Sequence, residues 1–176
     1  AASDVYKRQF LSRLPGKLGL FFGLTASPLN ARDALDLNLA DRFLLDTQQD
    51  ALIEGLVQLN WRDQPDLQLH SLLKALEQQA RGELPAAQWL PRRERIDALL
   101  DQATLPLSWQ ALASLENDQD ALLAKAAKTM LGGSPLTGHL VWEQIRRARH
   151  LSLAQVFQME YLSLIHISEP TRLLSI

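Results

Sequence analysis

The chain has 176 residues, 47% of them hydrophobic and 6% aromatic, and a formal net charge of -2. This length supports one domain with a sizeable core, and abundant Leu and Ala favour helices over sheets. The near-balanced charge gives no electrostatic case for nucleic acid or an anionic membrane as partner. The lack of cysteine excludes a disulfide framework, a thiolate metal site and a Cys nucleophile, and fits a reducing, cytoplasmic setting. No apolar run approaches the roughly 18 residues of a membrane helix, and no signal-peptide pattern opens the chain.

The two ends stand apart from the rest. Ala1–Gln9 (AASDVYKRQ) reads as the in-frame translation of a transposase-tagmentation sequencing adapter. Leu162–Arg172 (LSLIHISEPTR) reads as the reverse complement of the partner adapter, and LLSI as index sequence. Residues 1–9 and 162–176 are therefore expected to carry no function, His166, Ser168 and Glu169 included. The natural segment is expected to be 10–161, interrupted on both sides.

Within that segment, Pro15-Gly16 marks a turn. Lys17–Ala26 (KLGLFFGLTA) reads as a buried helix whose Gly19 and Gly23, four residues apart, allow a neighbour to approach closely; Pro28 breaks it. Asn30 is a good N-cap for a helix over Ala31–Leu37, with Asp33 in its first turn. Leu39–Leu44 reads as a short strand or extended exit.

Beyond this point the pattern is helical. Gln48–Leu59 carries Leu52, Leu56 and Leu59 on one face, with Asp46 or Thr47 as cap. Leu67–Arg81 has Leu69, Leu72, Leu73 and Leu76 at core spacing and Gly82 as its stop. The stretch Gly82–Pro91 reads as an ordered loop holding Trp89. Pro91 opens Arg92–Gln102 as a first-turn proline. Ser108 is expected to cap Trp109–Leu115, and Asp118 to cap Gln119–Leu131, which Gly132 and Gly133 end. Ser134-Pro135 begins Leu136–Arg149, and Ser152 caps Leu153–Tyr161. Trp61, Trp89, Trp109 and Trp142 read as core or interface anchors.

Chemistry-bearing patterns are sparse. His70, His139 and His150 are isolated in sequence, with no metal-binding pairing, and there is no G-x-S-x-G elbow. The Pro15-Gly16-Lys17 turn lacks phosphate-loop spacing. A helix start flanked by Arg13 and Lys17 can nevertheless attract an anionic ligand, the plainer alternative being solvated surface charges. Arg146, Arg147 and Arg149 sit near a helix C-terminus, where cations are favoured.

Two stretches carry a resemblance. Phe10–Leu44 (FLSRLPGKLGLFFGLTASPLNARDALDLNLADRFL) resembles a segment of enoyl-CoA hydratases and isomerases. There an R-L-P-G/V-G-K helix leads to L-T-G and then A-x-x-A-x-x-x-G-L-A/V. The form F-L-x-R-L-P-G-K-L-G-x-x-x-x-L-T is similar to the 3-hydroxyisobutyryl-CoA hydrolase branch of this crotonase superfamily. Gly133–Tyr161 resembles the same branch's S-P-x-S/T helix, followed by L-S-L-x-x-x-F/L-x-M-E-Y. The helical stretch between them matches the insertion that separates these hydrolases from short hydratases. The chain departs from the pattern at Ala26 and Asn38, where the family has glycine; asparagine tolerates left-handed backbone better than most residues.

The resemblance implies a mainly α chain, the C-terminal helical portion of an α/β crotonase-like fold with the sheet-bearing half missing. It implies an intact enzyme that hydrolyses 3-hydroxyisobutyryl-CoA to 3-hydroxyisobutyrate and CoA in valine catabolism. The alternatives are an enoyl-CoA hydratase or isomerase, and a non-catalytic helical interaction module. In the family, two backbone amides form an oxyanion hole and a Glu and an Asp assist attack on the thioester. That pair lies in a P-E-x-x-I-G-L-F-P-D-x-G-G segment upstream of the position of Phe10, so Glu54, Glu143 and Asp33 correspond to neither member. No catalytic residue or metal ligand is expected in this chain, and the fragment is expected to be inactive. Arg13 and Lys17 remain as ligands for a CoA phosphate. The resemblance implies an acyl-CoA substrate, no separate cofactor (coenzyme A enters with the substrate) and a homo-oligomer.

Overall fold

The computed structural model describes residues 11–148 together with Gln155. Apart from Gln155, the helix expected over 153–161 lies outside the described residues, as do His150 and both terminal stretches. Among the described residues the chain is mainly α, as expected, and contains no strand. It divides into two compact units, one made of residues up to Pro28 and from Arg93 onward, the other spanning Leu29–Arg92.

The first unit is built on α1 (Leu18–Thr25), in which every residue except Gly23 is buried. Such a helix gains its stability from neighbours on all sides. The expected close approaches are present: a side-chain carbon at Gly19 would meet the Leu11 carbonyl, and one at Gly23 would stand 2.6 Å from Val141 Cγ1. Thr25, buried at the end of the helix, returns its hydroxyl to the Phe21 carbonyl at 2.8 Å. The remaining helices of this unit are α5 (Arg93–Leu99), α6 (Leu105–Ala113), α7 (Ala121–Leu131) and α8 (Pro135–Ala148). Ile96, Leu100, Leu112, Leu123 and Met130 are essentially sealed from solvent, and each such side chain contributes about 1.5–3 kcal/mol through burial. Gly138 lets α8 close on Trp109, whose Cζ3 would lie 2.5 Å from a side-chain carbon there.

In the second unit, α2 (Ala31–Asp36) opens on the expected Asn30 cap: Asn30 Oδ1 accepts from the Asp33 amide at 2.8 Å. Asp33 is fully buried, and its other role is long-range. Its Oδ1 accepts from the amides of Gln88 and Trp89 at 2.8 and 2.9 Å, while Asn30 Nδ2 donates to the Ala86 carbonyl at 2.8 Å. These bonds fix the 82–91 loop and seat Trp89, which is 1% exposed. Residues 39–44, expected as a short strand or extended exit, form no strand, and the amides of Leu39 and Ala40 still bond back to the Ala34 carbonyl of α2. A one-turn 3-10 helix at Asp46–Gln48 then leads into α3 (Gln49–Gln58), which pairs with α4 (Pro65–Ala80).

Three caps differ from expectation, each for a local reason. Neither Asp46 nor Thr47 caps α3; the Gln48 side chain accepts from the Leu45 amide at 2.9 Å and donates to the Leu76 carbonyl, so it serves both helices. Ser108 lies inside α6 instead of capping it, because Pro106 in the first turn starts the helix at Leu105. Its hydroxyl is buried without a partner among the described residues. Asp120 caps α7 through the Leu122 amide at 3.0 Å, while Asp118 pairs with Arg95. Pro91 falls in a one-turn 3-10 helix (Leu90–Arg92) ahead of α5.

Candidate functional site

The turn into α1 holds the two residues that the sequence singled out. Gly16 has φ +61°, and a side chain there would collide with the Asp97 carboxylate. That carboxylate fills the space in front of the helix start: Asp97 Oδ1 accepts from the Lys17 amide at 2.6 Å, and Oδ2 from Arg93 Nε at 3.3 Å. An internal carboxylate therefore takes the amide that an incoming anion would have used. The Lys17 ammonium remains available at the side, 3.6 Å from Asp101, whose side chain is 82% exposed. Such a solvated pair holds a cation loosely. Arg13 is exposed on the same turn.

Lys17 opens onto a groove of about 200 Å³ in the first unit, formed with Leu20, Gln102, Trp142, Ile145 and Arg146. Two cations thus flank a half-buried indole and an apolar floor. This combination suits a ligand with a negative group and a flat or apolar body. The sequence marks Lys17 but offers Trp142 only as a core or interface anchor and Arg146 as a helix-end charge. Only the packing of α8 against α1 brings all three to one groove, and no local pattern announces it.

The remaining chemistry-bearing residues have structural roles. The carboxylate of Glu143 pairs with Arg147 one turn away at 3.2 Å, and Glu54 is exposed on α3. His70 Nδ1 lies 2.9 Å from Arg42 Nη2; since a guanidinium only donates, that nitrogen is the acceptor. His139 is exposed on α8. Among the described residues no cluster of His, Asp and Glu could hold a metal ion.

A family model described as enoyl-CoA hydratase/isomerase matches residues 1–171. The chain belongs to this family. Among curated proteins, the zebrafish (Danio rerio) "3-hydroxyisobutyryl-CoA hydrolase, mitochondrial" is 31% identical over 159 residues, covering 90% of this chain and 40% of the relative. The Arabidopsis thaliana "3-hydroxyisobutyryl-CoA hydrolase 1" is 28% identical, covering 93% and 43% respectively. Among solved structures, a carnitinyl-CoA dehydratase from Mycobacterium thermoresistibile superposes with a TM-score of 0.70 at 29% identity, over 88% of this chain and 42% of that one. The chain spans about two fifths of the length of these relatives. The helices described above are the corresponding helical portion of a crotonase-type protein. Among the described residues no helix is long and apolar enough to cross a membrane.

Proposed function

We propose that this chain is the helical portion of a CoA-thioester hydrolase whose intact form converts 3-hydroxyisobutyryl-CoA to 3-hydroxyisobutyrate and CoA in valine catabolism. The observation that carries the reading is the shared name of the curated relatives over about nine tenths of the chain. The helical stretch between the two matching motifs, α3 to α7, supports it as the branch's insertion. A second reading, an enoyl-CoA hydratase or isomerase, is favoured by the dehydratase among solved structures, since dehydration of a hydroxyacyl-CoA is the reverse of enoyl-CoA hydration.

On this reading the catalytic Glu and Asp and the oxyanion-hole amides belong to sequence upstream of residue 10, and residues 1–9 and 162–176 are adapter-derived. The Lys17 groove with Arg13 nearby receives a phosphate of coenzyme A, which enters as part of the substrate and not as a separate cofactor. The intact protein is a homo-oligomer. The cytoplasm is the proposed compartment; the zebrafish relative is named as mitochondrial, which makes the mitochondrion the alternative.

The test is to recover the full reading frame, express it and follow thiol release from 3-hydroxyisobutyryl-CoA beside water addition to crotonyl-CoA. Thiol release with little hydration supports the hydrolase. The opposite pattern makes it a hydratase, and neither activity leaves a non-catalytic helical module.

A further inference from the structure

A second concavity, of about 600 Å³, lies wholly within the Leu29–Arg92 unit. This volume is within the usual range for small-molecule sites. Its lining divides into apolar and charged parts. Leu35, Phe43 and Leu84 are half-buried and form apolar walls, while Arg32, Glu77 and Arg81 bring charge to the same space.

Ion pairing decides which of those charges a ligand would meet. Glu77 is held by Arg42 at 2.8 Å, and Arg42 is itself braced by His70. Arg32 is held by Asp36 at 3.0 Å along α2. Arg81, just past the end of α4, is exposed and forms no ion pair among the described residues. The lining therefore presents two neutralised pairs and one guanidinium with its donor fork free.

The loop wall, Leu84 to Ala87, is held in place before anything binds. The Ala86 carbonyl is tied to Asn30 Nδ2, and the amides of Gln88 and Trp89 are tied to the buried carboxylate of Asp33. A wall fixed in this way loses little entropy on binding. The sequence read the 82–91 stretch only as an ordered loop; the hydrogen bonds show what its order provides.

Charge balance narrows the ligand further. Residues 29–92 contain ten acidic and six basic side chains, a surrounding field that opposes a polyanion such as a nucleotide. One free guanidinium beside apolar walls suits a single planar negative group on an apolar body, because the Arg fork matches a carboxylate in a bidentate manner.

We propose that this cavity binds a monocarboxylate with a medium-length apolar chain, its carboxylate on Arg81 and its chain against Phe43, Leu35 and Leu84. The site is distinct from the Lys17 groove and does not depend on the thioester reading. It requires no chemistry from the protein and makes none.

Octanoate is the probe, titrated into the full chain by calorimetry, with octanamide as its uncharged counterpart. Backbone amide shifts at Ala86 and Ala87 report the location. Octanoate is expected to bind saturably and to move those amides. Arg81→Gln should weaken it about tenfold or more, Arg81→Lys should fall between, and octanamide should bind the wild type no better than octanoate binds Arg81→Gln. Leu84→Trp, which fills the cavity and leaves Arg81 in place, should also abolish binding. The proposal is overturned if octanoate shows no saturable binding, if Arg81→Gln binds it as tightly as the wild type, or if octanamide binds equally well. Since none of these readouts involves a thioester, failure here and failure of the hydrolase reading are separate results.

Discussion

The Asp97 carboxylate stands where a side chain on Gly16 would have to be, and it accepts from the Lys17 amide, just ahead of α1, at 2.6 Å. The two residues are thus coupled across 81 positions of sequence, since only a glycine at φ +61° leaves room for the carboxylate. Gly16→Ala should cost about 1–2 kcal/mol for the left-handed backbone alone, with more from the collision. Asp97→Ala should cost about 1.5–3 kcal/mol as a lost hydrogen bond to a charged group. In the double variant the penalties should not add, because removing the carboxylate relieves the collision. Urea unfolding of the four proteins measures the coupling; strict additivity would show that the two residues do not share the space.

Ala26 and Asn38, the two positions where the family pattern has glycine, both lie in left-handed backbone, at φ 50° and 55°. Ala26 closes α1, its amide bonded to the Phe22 carbonyl at 2.9 Å. Alanine there bears the full steric cost of that geometry, whereas asparagine bears less. Ala26→Gly should therefore raise stability by up to about 1 kcal/mol, partly offset by the greater freedom of glycine in the unfolded chain. Asn38→Gly should change little. Midpoints of urea unfolding compare the two directly, and a larger gain at Asn38 would contradict the argument.

Much of this fold was legible because its signals are local. Asn30 and the Gly132-Gly133 stop act within a turn or two, the Gly19/Gly23 spacing is itself a local pattern, and each performs the expected role. Elements whose boundaries depend on distant partners were misread. Ser108 has the chemistry of a cap, but a first-turn proline and the burial of Leu112 draw it inside α6. Asp118 likewise resembles a cap until Arg95, 23 residues away, claims its carboxylate. The groove at Lys17 was half legible: its cation stands in a recognisable turn, but Trp142 and Arg146 reach it through helix packing that no spacing rule reports.

The Arg95–Asp118 pair should leave a trace in the pH dependence of stability. The hydrogen bond from Arg95 is the largest cause holding the Asp118 carboxyl below its ordinary value, followed by the Asp120 amide at 2.8 Å. A carboxyl depressed on folding adds stability above its unfolded pKa and loses it as the pH falls through the folded value. The contribution should therefore be present at neutral pH and fade below about 4. Because the Arg95 side chain is half exposed, the effect should be small and further reduced by salt. Thermal unfolding of wild type and Asp118→Asn across that range is the measurement. Their difference should narrow in acid, and a difference that widens would reverse the assignment.

The Lys17 groove makes a prediction for the full-length protein. If Lys17 and Arg146 together hold a phosphate of coenzyme A, charge removal at either should weaken CoA binding by about 1.5–3 kcal/mol, the range for a hydrogen bond to a charged group. The apolar neighbours Leu20 and Trp142 would remain, so affinity for a short acyl-pantetheine thioester, which carries no phosphate, should be unaffected. Lys17→Met and Arg146→Met, titrated with CoA and with the pantetheine analogue, separate the two contributions. Added salt should weaken CoA binding to the wild type more than to either variant. Equal losses for both ligands would instead mean that the substitutions disturb the packing of α8 on α1, and Lys17 and Arg146 would then be surface charges with no part in holding the substrate.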